Sequence, residues 1–146
     1  MKYKLTENYI ALVDNKKLYQ IQALKDFGDV KAGDLGGYIE GINNLSQKYD
    51  CWVYDNAVVS GYARICQNAK ICQNAKVFNS AKVGGEAMIY GEAMIYGNAV
   101  VHGDAEIFGN AEIFGFAEIC GYLHINNGSF SDNCKIDFEF INFINH

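Results

Sequence analysis

The chain has 146 residues, half of them apolar, with twelve Lys or Arg against seventeen Asp or Glu for a formal net charge of −5. That length is one domain's worth and supports a continuous core, while the acidic balance argues against a general nucleic-acid binder, whose phosphate contacts need a basic surface. No apolar run approaches bilayer-spanning length and no charged-then-apolar leader opens the chain, so a cytoplasmic protein is the expectation.

Residues 1–28 read as a β-hairpin. Tyr9-Ile10-Ala11-Leu12-Val13 and Leu18-Tyr19-Gln20-Ile21 flank the polar stretch Asp14-Asn15-Lys16-Lys17. Residues 29–50 are Gly-rich and enter a first imperfect coil at about Asp34 to Ser46. Gly33-Asp34-Leu35-Gly36-Gly37 reads there as a turn, since its spacing is wrong for a dinucleotide fingerprint. Asp26-Phe27-Gly28 copies the kinase magnesium triplet, with none of the other kinase elements around it.

The next stretch dominates the sequence. From Ala57 to Ala117 an alanine recurs at every sixth position, each followed two places on by Val or Ile, from Val59 to Ile119. The pattern continues weakly as Cys51/Val53 before the run and Leu123/Ile125 after it. Apolar spacings of two and then four fit no helix. Ala-x-[Ile/Val] is a short strand with both apolar side chains on one face, and the fifth place of each unit holds Gly, Gln67, Gln73 or Asn79, types that tolerate a positive-φ bend. Identical bends turning the same way build an all-β parallel coil with three hexapeptides per turn, each strand pairing with the one eighteen residues later. Such a coil has open ends that must be covered, which makes the hairpin a candidate cap. The absence of proline suits a chain whose amides are needed in the ladder.

The Ile-x-x-x-Ala form of the repeat, as in Ile107-Phe108-Gly109-Asn110-Ala111, resembles the hexapeptide-repeat proteins over residues 51–125. These form left-handed parallel β-helices, triangular prisms, and include many acyltransferases. The stretches Leu18 to Phe27, Val30 to Glu40, Asn44-Leu45-Ser46-Gln47 and Cys51-Trp52-Val53-Tyr54 look like the leader of a narrower group of uncharacterised bacterial and prophage β-helix proteins, often labelled transferases. That resemblance implies a phage or prophage origin.

Three parts follow: residues 1–28 as the hairpin cap, 29–125 as the β-helix, and 126–146 as a C-terminal cap or oligomerisation segment. In the last, Asn126-Asn127-Gly128 breaks the phase, Cys134-Lys135-Ile136 resumes it one residue early, and Phe138 to Ile144 is strongly apolar. The cysteines Cys51, Cys66, Cys72, Cys120 and Cys134 form no C-x-x-C pair, and reduced, partly exposed thiols are expected.

Two positions per hexapeptide point outward. The residue after each aliphatic gives Tyr54, Cys72, Tyr90 and Phe108 on one side, Ser60, Phe78, Tyr96 and Phe114 on the next, and Cys66, Gly84, His102 and Cys120 on the third. Aromatic ladders at strand spacing either rigidify the outer sheet or offer a surface for self-association or a partner. The residue before each aliphatic runs Arg64, Lys70, Lys76 and Lys82, then Met88, Met94 and Val100, then Glu106, Glu112 and Glu118: basic, apolar and acidic belts. These are a solvated surface, or the poles of a rod that docks antiparallel on its like.

Candidate chemistry is sparse. The acyltransferase resemblance implies a histidine base in a homotrimer with acetyl-CoA as cosubstrate, and only His102 sits in a regular coil. A zinc site would need three converging histidines, but His102 and His124 fall on different sides. Met88 and Met94 are belt residues in this register, not a metal box. The leading expectation is a non-enzymatic module without cofactor or metal, a dimer or trimer in a bacterial cytoplasm. It binds a host macromolecular complex, as an inhibitor of a defence or regulatory assembly, through Phe78, Tyr96, Phe114, Tyr90, Phe108, Met88, Met94, Glu106, Glu112 and Glu118. The alternatives are the acyltransferase and a structural virion or fibre component.

Overall fold

The computed structural model describes residues 1–131 in full and the backbone of 135–143. Cys134, Ile144 and His146 lie outside the described residues.

Three longer strands, β1 (Tyr3–Ala11), β2 (Lys17–Ala23) and β3 (Leu35–Ile39), precede eleven two-residue strands from β4 (Trp52–Val53) to β14 (Glu112–Ile113), which are followed by β15 (Glu118–Ile125), β16 (Ser129–Phe130) and β17 (Lys135–Phe143). The short strands pair in parallel at steps of eighteen: Lys70 beside Met88 beside Glu106, and Ile71 beside Ile89 beside Ile107. The result is a β-solenoid of about five turns, as the six-residue period requires. Its first face carries β3, Val58–Val59, Lys76–Val77, Met94–Ile95, β14 and β16. The second carries β4, Lys70–Ile71, Met88–Ile89, Glu106–Ile107 and the end of β15; the third carries Arg64–Ile65, Lys82–Val83, Val100–Val101 and the start of β15.

Each unit sorts its side chains by geometry. Every Ala from Ala57 to Ala117 is fully buried where the coil turns, and the β-branched partner, such as Ile89 or Ile107, is fully buried in the interior. Strand N–H groups donate along the axis, as Lys70 to the Ala87 carbonyl at 2.9 Å and Cys72 to that of Ile89 at 2.8 Å. The fifth place of each unit is left-handed: φ is +57° at Gln73 and +63° at Gly85. In the early coils the side chain at this corner accepts from the next coil, Gln73 Oε1 from Gly91 N at 2.8 Å and Asn79 Oδ1 from Gly97 N at 3.1 Å. Further along, glycine stacks on glycine so closely that a Cβ on Gly85 would sit 2.7 Å from Gly103 N.

At the ends of the repeat the structure departs from sequence reasoning once, at Gly36 and Gly37, and agrees with it once, at the Asn126-Asn127-Gly128 break. Gly36 and Gly37 lie within β3 and not in a turn. They are small because the chain behind them is close: a Cβ on either would come 2.5 Å from the carbonyl oxygen of Val53 or Ala57. At the far end the step shortens to seventeen, with Ile113 beside Phe130 and Ile119 beside Ile136, because the Asn126-Asn127-Gly128 corner is one residue short.

The N-terminal strands do not stack as another coil. β1 and β2 pair antiparallel, β2 pairs antiparallel with β3, and β3 joins the Val58–Val59 strand in parallel, so the hairpin continues the first face. Tyr3 is fully buried, its ring 6.1 Å from that of Trp52 and its hydroxyl donating to the Leu45 carbonyl at 2.6 Å. Trp52 occupies an outward position of its unit yet is 1% exposed, because Phe27 packs edge-on at 5.2 Å.

Candidate functional site

The faces display what the strands present outward. On the first face, Phe78, Tyr96 and Phe114 form a continuous stack, with centroids 4.9 and 5.0 Å apart and planes within 6° of parallel. On the second, Tyr90 stacks on Phe108 at 4.9 Å and 3°. The spacing is that of neighbouring strands, so the backbone ladder imposes face-to-face geometry on the rings. All five rings are half-buried, and their outer surfaces remain open. Burial and then the Glu112 charge raise the Tyr96 phenol above its ordinary range, and burial and then Glu106 do the same for Tyr90.

Alongside the rings run the belts, and each face repeats their order. The first face reads Lys76, Met94, Glu112; the second Lys70, Met88, Glu106; the third Lys82, Val100, Glu118. Local ion pairs differ between faces. Lys70 Nζ lies 3.7 Å from Asp29, whose carboxyl is held below its ordinary range first by the Tyr54 hydroxyl donating at 2.7 Å and then, against the cost of burial, by Lys70. Glu106 lies 2.9 Å from His124, and Glu118 lies 3.7 Å from His102. Among the described residues Lys76 and Glu112 enter no ion pair; Glu112 accepts from Tyr96 at 3.4 Å and from Ser129 at 3.5 Å.

The structure brings Phe78, Tyr96, Phe114, Met94 and Glu112 together on one face and Tyr90, Phe108, Met88 and Glu106 on the next. Glu118 stands apart with His102. The His102 side chain is 44% exposed on an open sheet face, its Nε2 3.7 Å from the Glu118 carboxylate. His102 and His124 lie on different faces, and among the described residues no three His, Cys, Asp or Glu side chains stand close enough to hold a metal ion. No helix is long and apolar enough to cross a membrane among the described residues.

The thiols correct the sequence reading in part. Cys51 is fully buried and Cys120 is 7% exposed, whereas Cys66 and Cys72 are half-buried; Cys51, Cys66 and Cys72 are free thiols. Cys51 sits inside the first coil because Lys2 reaches over it, Nζ donating to its carbonyl at 2.8 Å and lying 3.5 Å from its sulfur. Burial lowers the Lys2 ammonium below its ordinary value, partly offset by Cys51.

Sequence reasoning missed Lys2 and Asn44. Asn44 is 2% exposed; its Oδ1 accepts from the amides of Glu40 and Gly41, and its Nδ2 donates to the carbonyls of Gly61 and Ala63. Only the polar residue beside Leu45, where the register wants an outward position, hinted at it.

Stacked parallel coils, an Ala-x-[Ile/Val] interior and positive-φ corners define a β-solenoid built on a six-residue repeat. Residues 87–103 match the YdcK beta solenoid repeat family. The chain is 41% identical over 75 residues to the "Uncharacterized acetyltransferase YdcK" of Escherichia coli (strain K12), an alignment covering 46% of this chain and 23% of that relative. The match thus takes in about a quarter of the relative's length.

Proposed function

We propose that the chain is a non-enzymatic interaction module that grips a protein partner through its aromatic and acidic outer faces. The observation that carries this reading is the pair of aligned ring stacks, Phe78-Tyr96-Phe114 and Tyr90-Phe108, held rigid by the backbone ladder beside Met and Glu side chains. Rigid aromatic area loses little conformational entropy on binding and is favoured at interface centres. The leader resemblance extends the reading to a phage- or prophage-borne inhibitor of a host defence or regulatory complex, with the module in the bacterial cytoplasm. The test is capture of a defined partner by the wild type and its loss in a Tyr90→Ala/Phe108→Ala variant of unchanged melting temperature. Retained capture refutes the role of this surface.

A second reading is favoured by the 3.7 Å approach of Glu118 to His102 and by the acetyltransferase name of the matched Escherichia coli relative. It is an acyl-CoA-dependent acyltransferase active as a homotrimer, with His102 removing a proton from the acceptor. Turnover of acetyl-CoA that disappears in His102→Ala would put this reading first.

A further inference from the structure

We infer that the first face is a self-association surface on which a second copy of this chain docks antiparallel, about a two-fold axis passing through Met94 and Tyr96. The inference rests on the reading of the outer faces as binding surfaces and names the occupant of one of them.

The order of charge along the axis is the first argument. All three faces run from basic through apolar to acidic, so copies packed side by side in parallel and in register would set Lys against Lys and Glu against Glu. Reversing one copy sets Lys against Glu at both ends of the contact. The second argument selects the face. On the second face Lys70 is paired with Asp29, and the third lacks an aromatic ladder beside its belt, its outward row reading Cys66, Gly84, His102 and Cys120. On the first, among the described residues, Lys76 and Glu112 are both outside any ion pair.

Register supplies the third argument. Lys76, Met94 and Glu112 lie on consecutive strands, as do Phe78, Tyr96 and Phe114. An axis through the middle strand therefore places Lys76 of each copy opposite Glu112 of the other, Met94 opposite Met94, and the Phe78 ring opposite Phe114. One strand further out, Val58 faces Ser129, and neither carries charge. Beyond Val58 the first face continues into β3 and the hairpin of the same copy.

The contact is five strands tall and one coil side wide, on the order of 400 Å² per copy from strand spacing and rise, about half a standard interface. The dimer is therefore weak and salt-sensitive, its end contacts being exposed charge pairs.

Sedimentation equilibrium of the full chain at about 50 mM and about 1 M salt tests this. The wild type is expected to dimerise at low salt and to weaken at least tenfold at high salt. Lys76→Glu and Glu112→Lys should each be monomeric, because each confronts like charges twice. An equimolar mixture of the two should recover a heterodimer, since every facing pair is again opposite in sign. Circular dichroism checks that both surface variants keep the fold. A monomeric wild type, a trimer, single variants with wild-type mass, or a mixture that stays monomeric overturns the inference. Tyr90→Ala/Phe108→Ala lies on another face and should dimerise normally, so loss of a foreign partner is read separately from loss of the dimer.

Discussion

Truncating Ile89 to alanine tests whether the interior column carries the stability. The side chain is fully buried in the middle of the solenoid, between Ile71 and Ile107 on the neighbouring strands. Removing three carbons forfeits roughly 2.4 kcal/mol of transfer free energy at about 0.8 per buried carbon. A cavity term adds to this, and here it is large, because the strands cannot close over the void. The Ile89 carbonyl accepts from Cys72 at 2.8 Å, and the Tyr90 amide donates to Ile107 at 2.9 Å, which fixes both neighbours at strand spacing. The expected total is about 3 to 5 kcal/mol, or a melting temperature lower by roughly 10 °C in a chain of this size. Met88→Ala, one residue earlier and facing outward, should cost under about 1 kcal/mol. Urea unfolding followed by circular dichroism measures both. Equal costs for the two substitutions would refute the sorting of side chains into interior and exterior columns, on which the reading of the outer faces depends.

Asn44→Ala leaves two amides and two carbonyls without their shared partner and should cost about 2 to 3 kcal/mol by the same assay. Gly85→Ala combines a left-handed φ of +63° with a Cβ 2.7 Å from Gly103 N, whereas Gly33→Ala, at φ +94°, has only the backbone strain. The first should therefore destabilise by clearly more than the second, whose cost is about 1 to 2 kcal/mol. The Cys72 thiol is pushed up to about 11 from an ordinary 9.0, first by burial and then by Asp55. Between those values the unfolded chain has lost a proton that the folded chain keeps, so this group's contribution to stability is complete below pH 9 and falls as pH rises towards 11. Cys72→Ala should flatten the decline of the urea midpoint across that window, and an unchanged slope would remove the thiol as its source.

The sequence by itself determined the solenoid. A six-residue period with Ala, a β-branched residue and a bend-tolerant residue at fixed places has one packing solution, because each short strand can satisfy its backbone only by pairing with its copy a full turn away. It also placed the rings of Tyr90 and Phe108, or of Phe78, Tyr96 and Phe114, one above another, since ladder register is implicit in the period. What it left open depends on contacts between segments that share no period. Gly36 and Gly37 look like turn residues until the carbonyls of Val53 and Ala57 close in behind them. Lys2 and Asn44 look like surface residues until the first coil needs its open amides and carbonyls bonded. The belts were legible as composition, but which of their charges are already neutralised was not. That depends on which groups the fold delivers to each charge: Asp29 reaches Lys70 from a loop, whereas the groups beside Glu106 and Glu118 are the imidazoles of His124 and His102, which carry charge only when protonated.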